Sequence, residues 1–207
     1  MKALIADDHP IVRKGIVQLL KDAFPKMKTE EVNSGIEAVK KINGEIWDLI
    51  VLDISMPGRN GIEVLKHARN SGIKTPILIL SMQAEEHYAL RSLKAGASGY
   101  VSKESAGDEL VKAVEKVMAG KKYISPKVTE ILAENLGEEP EIIHEKLSDR
   151  EMEVMMLIAS GKAVSDIAND LNLSVSTVST YRLRILEKLH LHNNAEILRY
   201  VFENGLN

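Results

Sequence analysis

The stretch KALIADDHP, Lys2–Pro10, decides the fold. A short apolar run stops at two adjacent aspartates, and a proline able to open a helix follows two residues after them. Ionised carboxylates are costly beside a core unless a counter-charge, a capping role or a cation compensates them. Asp7 and Asp8 therefore need a partner, which the rest of the chain has to supply.

Outward from this stretch the same design repeats. Strand candidates Ala3–Asp7, Lys28–Asn33, Leu49–Asp53, Ile77–Ser81 and Gly99–Val101 alternate with helical stretches Pro10–Phe24, Gly35–Asn43, Gly61–Asn70, Glu85–Ala95 and Gly107–Met118. This alternation predicts a mostly parallel sheet covered by helices on both faces. LIVLD (49–53) and PILILS (76–81) read as central strands buried on both sides. In the first helix Ile11, Gly15, Val17, Leu19 and Leu20 are expected to keep to roughly one face.

A chain of 207 residues accommodates two domains. Residues 121–145 loosen into a linker, with a helix expected over Val128–Asn135 and the flexible piece around Gly137 and Pro140. The expected domains are thus 1–120 and 146–207. The second is helical throughout: Ser148 with Glu151 forms a capping box, Gly161 ends that helix, and helices follow at Val164–Leu171, Val175–Leu189 and Asn194–Glu203. Apolar residues at 44% and charged residues at 28% suit a globular protein. A net charge of −3 excludes coating nucleic acid through bulk positive charge, though not a local basic face. Without cysteine there is no disulfide framework, thiolate zinc site or cysteine nucleophile, and the default compartment is the cytoplasm. No apolar run approaches the roughly 20 residues a membrane span needs.

Five polar residues fall at the carboxyl ends of the expected strands: Asp7, Asp8, Asp53, Ser81 and Lys103. That edge is where open α/β sheets bind ligands. Crowded carboxylates repel one another, and Mg2+ relieves this while keeping positions for phosphate oxygens. Such a site can place a phosphoryl group on Asp53, with Lys103 balancing charge and Ser81 donating a hydrogen bond. Singly each residue has an ordinary explanation: Asp8 could cap the helix at Pro10, Ser81 could start a turn, and Lys103 could be a surface lysine. Jointly, in this order along five alternating strands, they favour chemistry.

IADDHP, VLDISMPGRNGIE, ILILSM and GASGYVSKE resemble the receiver domain of two-component response regulators. The resemblance implies a flavodoxin-like strand order 2-1-3-4-5 and phosphorylation of Asp53 by a histidine kinase. It further implies Mg2+ held by Asp7, Asp8, Asp53 and the backbone carbonyl of Ser55. Pro57 and Gly61 would shape the adjoining loop, and Tyr100 matches an aromatic that changes rotamer when Ser81 turns towards the phosphoryl group. A buried tyrosine with a satisfied hydroxyl explains Tyr100 equally well. Glu104 departs from the proline common after the lysine.

The tail places Ile167, Ala168 and Leu171 opposite Val178, Ile185 and Leu189 across a short turn holding Leu173, a helix-turn-helix pattern. The candidate DNA contacts are Ser176, Thr177, Ser179, Thr180, Arg182, Leu183, Arg184 and Lys188. Hydroxyls and arginines near a helix N-terminus suit phosphates, and Leu183, pointing away from the core, suits a thymine methyl. SDIANDLNLSVSTVSTYRLRILEKL resembles the LuxR-type helix-turn-helix of the NarL/FixJ family. The resemblance implies a double-stranded DNA operator and a homodimer strengthened by phosphorylation. Its pairing surface would be the last helix, where Ile197, Leu198, Val201 and Phe202 are apolar, the alternative being that they only complete the small core. Ser179 and Tyr181 depart from common lysine and histidine, so base preference does not transfer. The expected function is therefore a phosphorylation-switched transcription factor without turnover of an external substrate. The alternatives are a regulator whose DNA binding ignores phosphate and an aspartyl-phosphate phosphatase, whose nucleophile usually lies in an Asp-x-Asp spacing rather than a contiguous pair.

Overall fold

The structure, a computed structural model, describes residues 1–82, 85–125, 128–129 and 143–206, except for the side chains of 85–87, 143 and 145. The helix expected over Val128–Asn135 lies, beyond Thr129, outside the described residues, as does the stretch around Gly137 and Pro140. The chain divides into two units, Met1–Glu134 and Asn135–Asn207.

In the first unit β1 (Lys2–Ala6), β2 (Lys28–Val32), β3 (Leu49–Asp53), β4 (Ile77–Ser81) and β5 (Gly99–Ser102) alternate with α1 (Pro10–Ala23), α2 (Gly35–Gly44), α3 (Gly61–Asn70), α4 (Glu85–Lys94) and α5 (Ala106–Met118). All pairings are parallel, in the order β2-β1-β3-β4-β5. Every residue of β3 and β4 is buried, as a strand covered on both faces requires. β2, KTEEV, is an edge strand, and its charged residues discourage further pairing. Ala3, Ile5, Leu49, Val51, Leu78, Leu80 and Val101 form one core with Ile16, Val17 and Leu20 of α1 and Leu110, Ala113, Val114 and Val117 of α5. The face expected for α1 is corrected in part: Ile11 is 87% exposed, and the buried stripe runs Ile16, Val17, Leu20. Ile11 and Ile16 are five residues apart, more than a third of a turn out of phase at 100° per residue.

Helix ends follow local chemistry. In α3 Asn60 Oδ1 accepts from Glu63 N at 2.9 Å and Glu63 Oε2 accepts from Asn60 N at 3.1 Å, a capping box. After α5 the chain stays on the same sheet: Tyr123 N donates to Ser98 O at 2.9 Å and Tyr123 Oη to Glu109 Oε2 at 2.9 Å.

The second unit holds α6 (Asp149–Ala159), α7 (Val164–Asp170), α8 (Val175–Leu189) and α9 (Asn194–Glu203), preceded by a 3-10 turn at Ile143–Lys146. Ser148 and Glu151 make the expected capping box. Gly161, at φ 85°, ends α6, because that left-handed conformation costs glycine little. Ile167, Ala168 and Leu171 bury against Val178, Ile185 and Leu189, with Met152, Met155, Ile158, Ile197 and Val201 completing the core.

Candidate functional site

Register explains why residues distant in sequence meet. Ala6 pairs with Leu52, Asp53 with Leu80 and Ser81 with Ser102, so the strands finish level with one another. β1 ends one residue earlier than expected, yet Asp7 N still donates to Val32 O at 3.2 Å and continues the strand's direction. Asp7 and Asp53 continue the alternation of Ala3, Ile5, Leu49 and Val51, whose side chains face α1 and α5. They are 1% and 2% exposed. Lys103, one residue past β5, reaches both: Nζ lies 2.9 Å from Asp7 Oδ2 and 2.7 Å from Asp53 Oδ2.

Asp7, Asp8, Asp53 and also His9 each present a ligand atom, all within 4.8 Å of one another. His9 Nδ1 lies 2.8 Å from Asp8 Oδ1, 3.3 Å from Asp7 Oδ1 and 3.8 Å from Asp53 Oδ2, and its backbone N donates to Asp7 Oδ1 at 2.7 Å. Neither His9 nor Arg13 was anticipated from the sequence. Arg13 braces the end of β1 by donating to Asp7 O at 2.7 Å while Nε meets Glu31 at 3.0 Å. Their signal lay in position: His9 abuts the aspartate pair, and Arg13 follows one helical turn on. Capping does not explain Asp8, because His9 is the N-cap of α1 and no side chain caps that helix.

Burial pushes the Asp53 carboxyl up to about 7; Lys103 pulls against this, while Asp7 and Asp8 add to it. Burial opposes the charge on Lys103, but the carboxylates of Asp53 and Asp7 outweigh it and hold the lysine above its usual range. Three carboxylates against one lysine leave surplus negative charge in an oxygen-rich cluster whose Asp7 and Asp53 are buried and whose Asp8 is partly exposed. That donor set fits a hard divalent cation, and among the described residues no backbone N–H is directed at the Ser55 carbonyl.

The loop after β3 is tightly drawn. Gly61 N donates to Ile54 O at 2.9 Å, and a Cβ at Gly61 would stand 2.1 Å from Asp53 O. Pro57 O accepts from Gly35 N at 3.2 Å. At the lysine, Glu104 N donates to Ser102 Oγ at 3.3 Å, a bond proline could not make. Ser81 ends β4 and is buried, and Lys103 N donates to its carbonyl at 2.8 Å. Tyr100, buried in β5, shares the alternation of Ser81 and Ser102, the parity opposite to Asp53.

In the second unit α8 turns Ser176, Thr180, Leu183, Arg184 and Glu187 outward, while Thr177, Ser179 and Arg182 flank them half-buried. Leu183 is 55% exposed. Ser174 Oγ caps α8 by accepting from Thr177 N at 3.0 Å, and it lies 2.7 Å from both Ser176 Oγ and Thr177 Oγ1. Thr180 Oγ1 donates to Ser176 O at 2.9 Å. Lys188, itself exposed, reaches along the surface to Glu151, with Nζ 2.6 Å from Glu151 Oε2 and 3.3 Å from Lys146 O. On α9 the apolar residues divide: Ile197 and Val201 are buried, whereas Leu198 and Phe202 are exposed.

Residues 3–115 match the family model of the response regulator receiver domain, and residues 145–201 match that of bacterial regulatory proteins of the luxR family. Response regulator UvrY of Escherichia coli K12 is 33% identical over 100% of this chain and 95% of its own. The oxygen regulatory protein NreC of Staphylococcus carnosus is 34% identical over 100% and 99%. RcsB of Salmonella enterica serovar Typhimurium, solved on a promoter with the phosphomimetic BeF3−, has a TM-score of 0.60 at 28% identity over 97% of each chain. A further RcsB structure, of two dimers on two parallel DNAs, has a TM-score of 0.62 at 28% identity over 97% of each chain. With the acidic sheet rim followed by the helix-turn-helix, and relatives aligned from end to end, the chain belongs to the NarL/FixJ family of two-component response regulators.

Proposed function

We propose that this chain is a DNA-binding transcriptional regulator switched by phosphorylation of Asp53 by a sensor histidine kinase. One observation carries the reading: Asp7, Asp8, Asp53 and Lys103 converge at a single sheet rim. An oxygen of Asp53 attacks the phosphorus of the kinase's phosphohistidine; the P–O bond forms as the P–N bond breaks, and the leaving imidazole takes up a proton. Lys103 Nζ, already beside Asp53 Oδ2, pairs with the incoming negative charge. Asp7, Asp8, Asp53 and the Ser55 carbonyl would hold Mg2+, which supplies neutralisation of the phosphoryl oxygens. The Ser81 hydroxyl donates to the phosphoryl group, and Tyr100 follows it. The chain modifies itself and turns over no external substrate.

Phosphorylation shifts a two-state population, which needs differential stabilisation of only about a few kcal/mol. It favours a homodimer paired through Leu198 and Phe202 of α9, whose exposure supports this role. Ser176, Thr177, Ser179, Thr180, Arg182, Leu183 and Arg184 then meet an operator with half-sites about 10 base pairs apart. Lys188 acts from the margin of that surface, since Glu151 already holds it. Residues 1–120 form the receiver, 146–207 the DNA-binding domain, and 121–145 join them. The protein works in the cytoplasm, where kinase and operator are both within reach.

Genome-wide footprinting of wild type and Asp53→Asn, each with and without a small-molecule phosphodonor, tests the proposal. Protection of short, roughly symmetric sites that needs both the donor and Asp53 is the expected result. Equal footprints from Asp53→Asn and phosphorylated wild type would show that phosphate does not govern binding.

A further inference from the structure

The segment Lys146–Asn207 carries seven Lys/Arg against eight Asp/Glu. DNA-binding modules usually run the other way, because release of counterions from phosphates supplies essentially all non-specific affinity. Most of the cations here are already engaged within the unit. Arg150 lies buried 2.6 Å from Glu153, Lys162 meets Asp170 at 2.6 Å, Lys188 meets Glu151 at 2.6 Å, and Arg199 lies 3.7 Å from Glu203. Arg182, on α8 itself, donates from Nε to Asn194 Oδ1 at 2.5 Å. On α8 Arg184 is exposed and Glu187 sets an anion one turn beyond it, while the other exposed cation, Lys188, is already held by Glu151. The N-terminus of α8 offers phosphates backbone N–H groups, hydroxyls and the helix dipole. That end attracts an anion without supplying a formal charge.

We propose that Glu187 is an electrostatic brake on DNA association. With it in place, one copy holds duplex DNA too weakly to remain bound, and occupancy arises only where two copies add their base contacts on adjacent half-sites. The inference rests on the DNA-binding reading above and deepens it by stating how binding is kept both selective and dependent on pairing. Suppressed phosphate affinity lowers occupancy of genomic DNA by single copies, and leaves base contacts to decide which sites are held. Linking two weak modules multiplies their affinity through effective concentration, which makes pairing the controlling step.

Charge counting sets the expected magnitudes. One or two phosphates neutralised per copy predict that a dimer loses about 10- to 150-fold in affinity between 50 and 200 mM salt, against the ~10³ to 10⁵ lost by proteins making six to ten such contacts. The test uses the full-length chain, treated with a small-molecule phosphodonor, on a mixed-sequence duplex and on a footprinted operator, followed by fluorescence anisotropy from about 50 mM to 0.5 M salt. Glu187→Gln should strengthen mixed-sequence binding about 3- to 10-fold at 50 mM salt, and the gain should shrink below about twofold at 0.5 M. Glu187→Lys should steepen the salt slope by about one per copy. Both variants should gain affinity for operator and mixed sequence by similar factors, as a charge acting on phosphates requires. If wild-type operator binding falls about 10³-fold or more between 50 and 200 mM salt, or Glu187→Gln leaves mixed-sequence affinity within twofold, the brake is refuted while the DNA-binding reading stands. If no sequence is footprinted under any condition, that reading fails and the brake with it.

Discussion

Asn in place of Asp53 should make the metal-free receiver more stable at pH 8. An unfolded chain sheds the Asp53 proton near pH 3.8, whereas the folded protein holds it to about 7. Folding therefore takes up a proton between these values. The stability contributed by this group is complete below the unfolded value and is lost as pH rises through the folded one. Three pKa units correspond to about 4 kcal/mol of penalty above pH 7. Asp53→Asn removes the penalty but leaves Lys103 with a neutral amide in place of one of its two carboxylates, so a net gain of about 2–3 kcal/mol is expected. The assay is urea unfolding in a chelator, followed by the fluorescence of Trp47, the one tryptophan, which is buried in the receiver. The midpoint should rise by about 1–2 M urea at pH 8. The gap between variant and wild type should narrow as pH falls from 7 and close below the unfolded value of 3.8, where Asp53 is neutral in both folded and unfolded chains. Millimolar Mg2+ should restore wild-type stability more than that of the variant. A variant less stable than wild type at pH 8 without metal would refute the reasoning, because Lys103 would then outweigh burial and the Asp53 carboxyl would not be raised.

Three further outcomes follow from particular contacts. Gly61→Ala should cost the receiver about 3 kcal/mol, read from the same Trp47 unfolding curve, because the new methyl collides with the Asp53 backbone and has no side chain to displace. Glu153→Ala should cost the helical unit about 3 kcal/mol, read by circular dichroism, because Arg150 stays buried without its carboxylate. Leu198→Ser with Phe202→Ser should leave that unit's stability within about 0.5 kcal/mol, since both side chains are exposed, yet lower the phosphorylated dimer fraction in sedimentation.

Much of the fold was legible because alternation and periodicity are local properties. β3, β4, α3, α8 and α9 begin and end where the sequence predicts, since the helices are bounded by caps and the two strands end on polar residues, Asp53 and Ser81. The misjudged face of α1 shows the limit: Ile11 is apolar yet 87% exposed, and packing against the strands and α5 selects the buried stripe Ile16, Val17 and Leu20. The candidate site was legible in its aspartates and its lysine, because polar residues that end buried strands must meet where the strands end.

By itself the sequence determined the alternation of strands and helices, the acidic strand ends and the amphipathic pattern of the tail, since these depend on neighbours a few residues away. Tertiary structure alone decided that Lys103 serves two carboxylates at once, that His9 and Arg13 join the rim, and that Lys188 turns to Glu151. It also separated Leu198 and Phe202 from the buried half of α9. These outcomes depend on distances between elements remote in the chain, which register and packing set and local composition does not encode.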